Sequence, residues 1–298
     1  MSKDSPLVSI IIPTYNYAQY LPRAIESCMT QSYGNLEIII IDDGSTDATG
    51  KMVKEIDDPR VVYHYQENQG VSAARNKGLK LAKGDFIGFL DADEYLTDDS
   101  VETRLAVMLD DGDIDFVTTT ARSVDDTGRT SFRPGEGGRD IISRGLCEDL
   151  LLKRIPYTTS AVLMRGSHAR KFEFAIDLNN GEDLVFFSKV FFERKGCFLS
   201  RPTAVSFSHP DSLRHNIPNL KKQGMGLVDA IFDDPCFEGR LDHIRAAFTA
   251  DRCFELFRRF YRSGDLKLAR EHYRKALSLE PSRIFKIDYL FKFIRTWI

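Results

Sequence analysis

Leu7-Val-Ser-Ile-Ile-Ile12 and Leu36-Glu-Ile-Ile-Ile-Ile41 are the two stretches that decide the fold. Each is a short run dominated by β-branched residues, without sustained alternation of apolar and polar positions. A strand with one wet face alternates, whereas a strand covered on both faces does not. Both runs therefore read as central strands of a parallel sheet. Outward from them, Val61–Tyr65, Phe86–Leu90 and Asp115–Thr120 read as three more strands. Helical patterns fall between, over Tyr20–Gln31, Ala48–Ile56 and Val71–Ala82. This alternation predicts a doubly wound α/β domain.

Beyond residue 120 the regularity fades. Asp125-Asp-Thr-Gly128 reads as a hairpin turn and Arg133–Gly138 as a flexible loop. Ile141–Lys153 and Glu182–Lys195 read as helices, and from about Asn219 onward the chain reads as all helix. Arg252–Pro281 has the spacing of one tetratricopeptide-like hairpin, with its turn at Gly264–Asp265 and Ala269, Tyr273, Ala276, Leu277 and Pro281 in the second half. Phe257 stands where the first helix of such a unit usually has glycine. A single unit makes no solenoid, so a helical pair capping the α/β domain is expected.

Composition sets the outer bounds. The chain has 298 residues, with 41 Lys/Arg against 44 Asp/Glu, and 11% aromatics, which excludes disorder as its main state. No apolar run approaches the roughly 20 residues that span a bilayer, and the N-terminus lacks the basic segment and cleavage site of a signal peptide. Five scattered cysteines without a CxxC pair point to reduced thiols and a cytoplasmic location. Residues 219–298 carry 16 Lys/Arg and 11 Asp/Glu, whereas residues 1–218 carry 25 and 33. An acidic body argues against nucleic acid as a partner, and the basic tail permits contact with an anionic membrane.

Ligands of doubly wound sheets bind at the carboxyl ends of the strands. Strand one ends in Pro13-Thr14-Tyr15-Asn16 and strand two in Asp42-Asp43-Gly44-Ser45-Thr46-Asp47. Strand three leads to Asn68-Gln69-Gly70 and then Arg75-Asn76, and strand four ends in Asp91-Ala92-Asp93-Glu94. Strand one carries no GxGxxG, which excludes the usual dinucleotide fingerprint. Gly44–Met52 imitates a P-loop, but it has one residue too many between its glycines and Met52 replaces the metal-holding hydroxyl. Ser45 or Asp47 is instead expected to cap the next helix. Asp91 and Asp93, at i and i+2 after a buried strand, form a donor set for a hard divalent cation, Mg²⁺ or Mn²⁺. Such a cation can neutralise charge on a diphosphate leaving group.

Taken in order, Pro13–Asn16, Glu37–Asp47, Asn68–Gly78 and Gly84–Asp93 resemble the family-2 glycosyltransferases, inverting enzymes of the GT-A fold. The resemblance is dense over about residues 7–100 and looser to about 215. It implies a Rossmann-like mixed sheet flanked by helices, with a nucleotide-binding half at 1–100, an acceptor half at 101–218 and a helical C-terminal extension at 219–298. It implies that Pro13, Thr14 and Tyr15 line the base pocket and that Asp42 meets the base edge, as in relatives that read uracil. Arg75 then lies near the base or diphosphate, Asp91 and Ala92 at the ribose, and Asp93 on the metal. Glu94 closes a motif that often reads DADD.

Asn179-Asn-Gly-Glu182-Asp183 is similar to the family's ED motif, which assigns Asp183 as general base with Glu182 beside it. Helix capping and the helix dipole account for the same acidic pair in isolation. His209 fits the place of a C-terminal histidine that contacts metal or diphosphate in some GT-A enzymes. Thr158–Arg165 reads either as part of the acceptor side or as a core strand. The implied reaction is metal-dependent transfer of a hexosyl group from a nucleotide sugar, UDP-linked by preference. The implied acceptor is a hydroxyl of a glycan or lipid-linked saccharide in bacterial surface polysaccharide synthesis. A nucleotidyltransferase, and a binding module that has lost catalysis, are the other readings. Finally, Ile287, Leu290, Phe291, Ile294 and Ile298 fall on one helical face with Lys286, Lys292 and Arg295 nearby, suiting a membrane interface, a protein contact or a dimer contact.

Overall fold

The computed structural model describes residues 5–124, 127–132, 138–178, 180–207, 217–285 and 287–297. The chain forms two compact units, one of Met1–Ile176 with Phe186–Pro210 and one of Asp177–Val185 with Asp211–Ile298.

The first unit is built on one sheet. Its first half runs β1 (Val8–Thr14), α1 (Leu21–Met29), β2 (Leu36–Asp42), α2 (Thr49–Lys54), β3 (Val61–Tyr65), α3 (Val71–Leu81) and β4 (Phe86–Phe89). The expected strands and helices are all present, with ends moved by a residue or two. β5 (Tyr95–Leu96), α4 (Ser100–Asp110), β6 (Phe116–Val124), β7 (Thr130–Phe132), β8 (Ile141–Ser143) and α5 (Leu146–Leu151) follow. A 3₁₀ turn (Thr159–Ala161) then leads to β9 (Val162–Arg165), α6 (Gly166–Ala169), α7 (Glu182–Phe191), of which only the part from Phe186 counts in this unit, and β10 (Gly196–Phe207).

The strand order is β3-β2-β1-β4-β9-β6-β10-β5, with β7 on β6 and β8 on β10. β3, β2, β1 and β4 are parallel neighbours, as are β6 and β10, and the remaining pairings are antiparallel. The sheet is therefore mixed. Every residue of β1 is buried, which is why its sequence does not alternate.

α3 lies close on β1 because residue 78 is glycine: a Cβ there would stand 2.3 Å from Ile11 Cγ2. Gly78→Ala is expected to lower stability. Overpacking a core costs about 1–3 kcal/mol, and alanine's better helix propensity returns about 1 kcal/mol. The net loss, up to about 2 kcal/mol, reads out as a lower urea midpoint at unchanged m-value. Wild-type stability in this variant would mean that α3 can shift away from β1.

Two expectations need correction. Ile141–Lys153 is not one helix. Ile141–Ser143 is extended and pairs antiparallel with Gly196–Phe198, and the helix begins only at Leu146, after Gly145. The helix from Glu182 ends at Phe191 rather than Lys195, since Gly196 already opens β10. Thr158–Arg165 supplies a buried 3₁₀ turn and the core strand β9. Asp125 and Asp126 of the expected hairpin turn, and 133–137 of the expected loop, lie outside the described residues. β6 and β7 do pair antiparallel across that turn.

The second unit is helical, with α8 (Ile217–Gln223), α9 (Gly226–Phe232), α10 (Asp242–Arg262), α11 (Leu266–Leu279), a 3₁₀ turn (Pro281–Phe285) and α12 (Ile287–Arg295). α10 and α11 make the expected hairpin. Gly264 takes φ +81° at the turn, and the Asp265 side chain caps α11 by accepting the Leu268 N–H. Phe254, Phe257, Phe260, Ala269, Tyr273 and Ala276 form its core, so Phe257 fills by bulk the position where a glycine was expected. α12 docks through Phe293, whose ring stacks on Tyr273 at 4.3 Å between centroids, and through Tyr289, which packs edge-on against Phe254. Phe291 and Ile294, from the predicted apolar stripe, are exposed. Among the described residues no helix is long and apolar enough to cross a membrane.

Candidate active site

The loops after β1 and β2 are laced together by Asn16. It adopts φ +54°, a left-handed conformation that asparagine tolerates better than most residues. Its Oδ1 accepts the backbone N–H of Thr46 at 2.7 Å and of Asp47 at 3.3 Å, and its own N–H donates to Ser45 Oγ at 2.9 Å. Neither Ser45 nor Asp47 is the N-cap of α2, which is Ala48; Asp47 instead accepts the N–H and hydroxyl of Thr49, the first residue of the helix, and also the N–H of Ala18. Desolvation pushes its pKa up, but these bonds outweigh it and hold the carboxyl below the usual range. Thr14 is buried and Tyr15 exposed at the mouth of this double loop, next to Pro13.

Asp42 ends β2 and is buried. Its Oδ1 accepts the N–H of Ser45 at 2.8 Å and its Oδ2 the phenol of Tyr63 at 2.6 Å. Burial and then that bond push the Tyr63 hydroxyl pKa upward. Asp43, also buried, accepts Gln66 Nε2 and the backbone N–H groups of Gln69 and Gly70, at 2.7–2.9 Å, and so shapes the loop ahead of α3. Gly44 makes this possible. It takes φ +84°, and a Cβ on it would meet Asn68 N at 2.8 Å.

Arg75 on α3 is buried and reaches Asp91 Oδ1 with Nη2 at 2.8 Å. Its guanidinium also lies 5.2 Å from the ring centroid of Phe174. Asn76 fixes that ring: its side-chain amide donates to the Phe174 carbonyl at 2.9 Å and accepts the Phe174 N–H at 2.7 Å. Asp91, Ala92, Asp93 and Glu94 form a turn closed by the Glu94 N–H on the Asp91 carbonyl at 2.9 Å. Asp91 and Asp93 are half-buried, and Ala92 and Glu94 are buried.

The turn is held from behind. The Asp91 N–H donates to Ser160 Oγ at 3.1 Å, and Arg104 donates to the Ser160 carbonyl at 3.3 Å. Arg104 is fully buried, with its other bonds to the carbonyl and hydroxyl of Ser100. Burial lowers its pKa to about 10, so it is still a cation at neutral pH, and its bonds go to neutral oxygens rather than to a carboxylate.

The structure thus brings Pro13, Thr14, Tyr15, Asp42, Arg75, Asp91, Ala92 and Asp93 to one edge of the first unit's sheet. Glu182 and Asp183 belong to the second unit and open α7, where Asp183 Oδ1 accepts the Leu184 N–H at 2.8 Å. Gly181, just before them, takes φ +85° against Leu227. His209 lies outside the described residues. Asn16, Asp43, Tyr63, Asn76, Ser160 and Arg104 are the supporting residues that sequence reasoning left without roles. Asn16, Asp43 and Asn76 sit inside the quoted motifs, whereas Tyr63, Ser160 and Arg104 carried no local signal.

Among the described residues no group of three or more His, Cys, Asp or Glu is arranged to hold a metal by itself. A Mg²⁺- or Mn²⁺-type ion shared between one or two carboxylates and a diphosphate needs no such cage. The all-oxygen set of Asp91 and half-buried Asp93 fits that mode.

Comparison with known proteins agrees with this geometry. The family model described as "Glycosyl transferase family 2" matches residues 9–173. An uncharacterized glycosyltransferase of Haemophilus influenzae is 48% identical over 109 residues, 36% of this chain and 44% of that protein. A chondroitin synthase of Escherichia coli is 41% identical over 128 residues, 42% of this chain and 19% of that protein. The match therefore spans less than half of either relative's length. Among solved structures, TarS of Staphylococcus aureus with UDP-GlcNAc superposes at TM-score 0.71 with 18% identity, over 97% of this chain and 89% of that one. The mannosyltransferase PcManGT of Pyrobaculum calidifontis, with GDP-Man and Mn²⁺, superposes at 0.62 with 16% identity, over 94% and 76%. At these identities the two structures establish the GT-A fold. Sheet-end motifs, fold and family model agree, and the chain belongs to glycosyl transferase family 2.

Proposed function

We propose that the protein transfers a sugar from a UDP-linked donor to a hydroxyl of a glycan or lipid-linked saccharide, with inversion at the anomeric carbon. The observation that carries this reading is the Asp91–Glu94 turn, tied to Arg75 in front and to Ser160 behind, on the same sheet edge as Asp42. Among the named relatives, TarS is described with UDP-GlcNAc, PcManGT with GDP-Man and Mn²⁺, and a third is named a chondroitin synthase, so a nucleotide-sugar donor is common to the two structures and the UDP preference rests on Asp42.

In this mechanism Pro13, Thr14 and Tyr15 flank the base and Asp42 meets its edge. Arg75 occupies Asp91 Oδ1, orienting the carboxylate so that Oδ2 meets the ribose beside Ala92. Asp93 would hold a divalent ion, which when bound would supply positive charge to the departing diphosphate. Asp183, with Glu182 beside it, takes the proton of the acceptor hydroxyl as that oxygen attacks the anomeric carbon. The bond to the diphosphate breaks on the opposite face, and one displacement gives inversion. His209 is proposed as a further contact for ion or diphosphate.

A thermal-shift panel of UDP, GDP, CDP, TDP and ADP, each with Mn²⁺ and with EDTA, tests the donor side. UDP with Mn²⁺ at a hundredfold excess over Kd is expected to add about 2.7 kcal/mol of stability, and EDTA to remove that gain. A larger shift with another base overturns the Asp42 assignment, and no shift with any nucleotide overturns the donor site.

A further inference from the structure

We propose that α12 is an interfacial anchor whose outward apolar face inserts at the surface of an anionic lipid bilayer. The inference concerns the second unit alone and does not rest on the transfer reaction. Ile284, Phe291, Ile294 and Trp297 are the large apolar side chains exposed among the described residues of that unit, and they lie in the last 3₁₀ turn, on α12 and, for Trp297, two residues past its end. Phe291 is 61% exposed, Trp297 60% and Ile294 48%. The same helix keeps its other face, Tyr289 and Phe293, on the aromatic core of the hairpin. An amphipathic helix that docks on one side normally turns polar residues outward. Here the outward side carries aromatic and branched apolar residues instead.

Charge selects the occupant. Residues 266–297 hold eight Lys/Arg against three Asp/Glu, which is the whole positive excess of the C-terminal eighty residues. Arg270 and Arg274 place their guanidiniums 4.6 and 5.3 Å from the ring centroid of Trp297. Arg295 is exposed on α12 itself, beside Ile294. A tryptophan ring rimmed by guanidiniums suits the headgroup layer, where apolar rings and cations both find partners. Nine helical residues are too few to cross a bilayer and enough to lie along one.

Trp297 is the chain's single tryptophan, so its emission reports this face directly. Vesicles of equal parts phosphatidylglycerol and phosphatidylcholine are expected to shift that emission to the blue and to carry the whole protein down on sedimentation. Pure phosphatidylcholine vesicles should do neither, and 0.5 M salt should release the protein by screening. Arg295→Gln should weaken partitioning about fivefold, and Ile294→Ser should weaken it while leaving Tm unchanged. Absence of both the shift and co-sedimentation with the anionic vesicles overturns the proposal. Equal binding to both vesicle types overturns its electrostatic part, and a dimer in light scattering that Ile294→Ser dissolves shows that a second copy covers the face.

Discussion

Asp183→Asn is expected to lower the transfer rate by about 10²–10⁴-fold while leaving UDP-dependent stabilisation intact. That range is what general-base catalysis contributes, equivalent to about 3–5 kcal/mol of barrier at 1.36 kcal/mol per tenfold. The choice of asparagine separates the two roles of this position. Asp183 Oδ1 accepts the Leu184 N–H at the opening of α7, and an asparagine oxygen accepts the same bond. A residue needed only for the helix start would therefore tolerate the change, whereas a base would not, because the amide has no basic lone pair to take the proton. The measurement is UDP release under saturating donor and acceptor, with donor binding followed separately. Wild-type turnover in this variant would remove Asp183 from the mechanism.

Asp93→Asn should cost about three orders of magnitude in rate and, unlike the first variant, also abolish the Mn²⁺-dependent part of the UDP thermal shift. The turn that carries Asp93 is closed by a backbone bond between Glu94 and Asp91, so the exchange removes a charge without removing the scaffold. A neutral amide is a much poorer ligand for a hard cation, and the leaving diphosphate then loses stabilisation worth several kcal/mol. Retained rate and retained response to EDTA would assign the ion to other groups. The two variants together separate proton removal from leaving-group stabilisation, since only the second is expected to change nucleotide binding.

Much of this was legible in the residues themselves. β1, β2 and β4 announced themselves because strands buried on both faces must be largely apolar, whereas β3, a partly exposed edge strand, was marked by its β-branched and aromatic residues; the ends of all four were marked by the polar motifs that follow. β10, the longest strand, was not visible. Ser200-Arg201-Pro202 interrupts its apolar run, and the structure absorbs the proline with register shifts against β6 on either side of it. β8 was read as helix because three extended residues carry no periodicity of their own, and their conformation comes from pairing with β10.

The candidate site divides in the same way. Asp42, Arg75, Asp91 and Asp93 lie in motifs whose order along the chain predicts their convergence at the sheet edge. Ser160 and Arg104 hold the Asp91 turn through bonds spanning 69 and 56 residues, and no local pattern reports such partners. The Tyr63 phenol reaches Asp42 because parallel pairing of β2 and β3 sets Tyr63 opposite Ile40, two residues before Asp42 and so on the same face of the sheet.

The place of β10 in the sheet has a consequence for biosynthesis. β1 to β4 are consecutive in the chain, so their mutual partners are all made by residue 89. β5 and the parallel edge of β6 instead wait for Gly196–Phe207, with Leu96 finding its partner only in Ala204, about a hundred residues later. Until then the nascent protein carries open strand edges on one half of its sheet. Such edges recruit other chains. Slow translation between residues 125 and 195 is therefore expected to favour aggregation, and chaperone demand should fall sharply once β10 has been made.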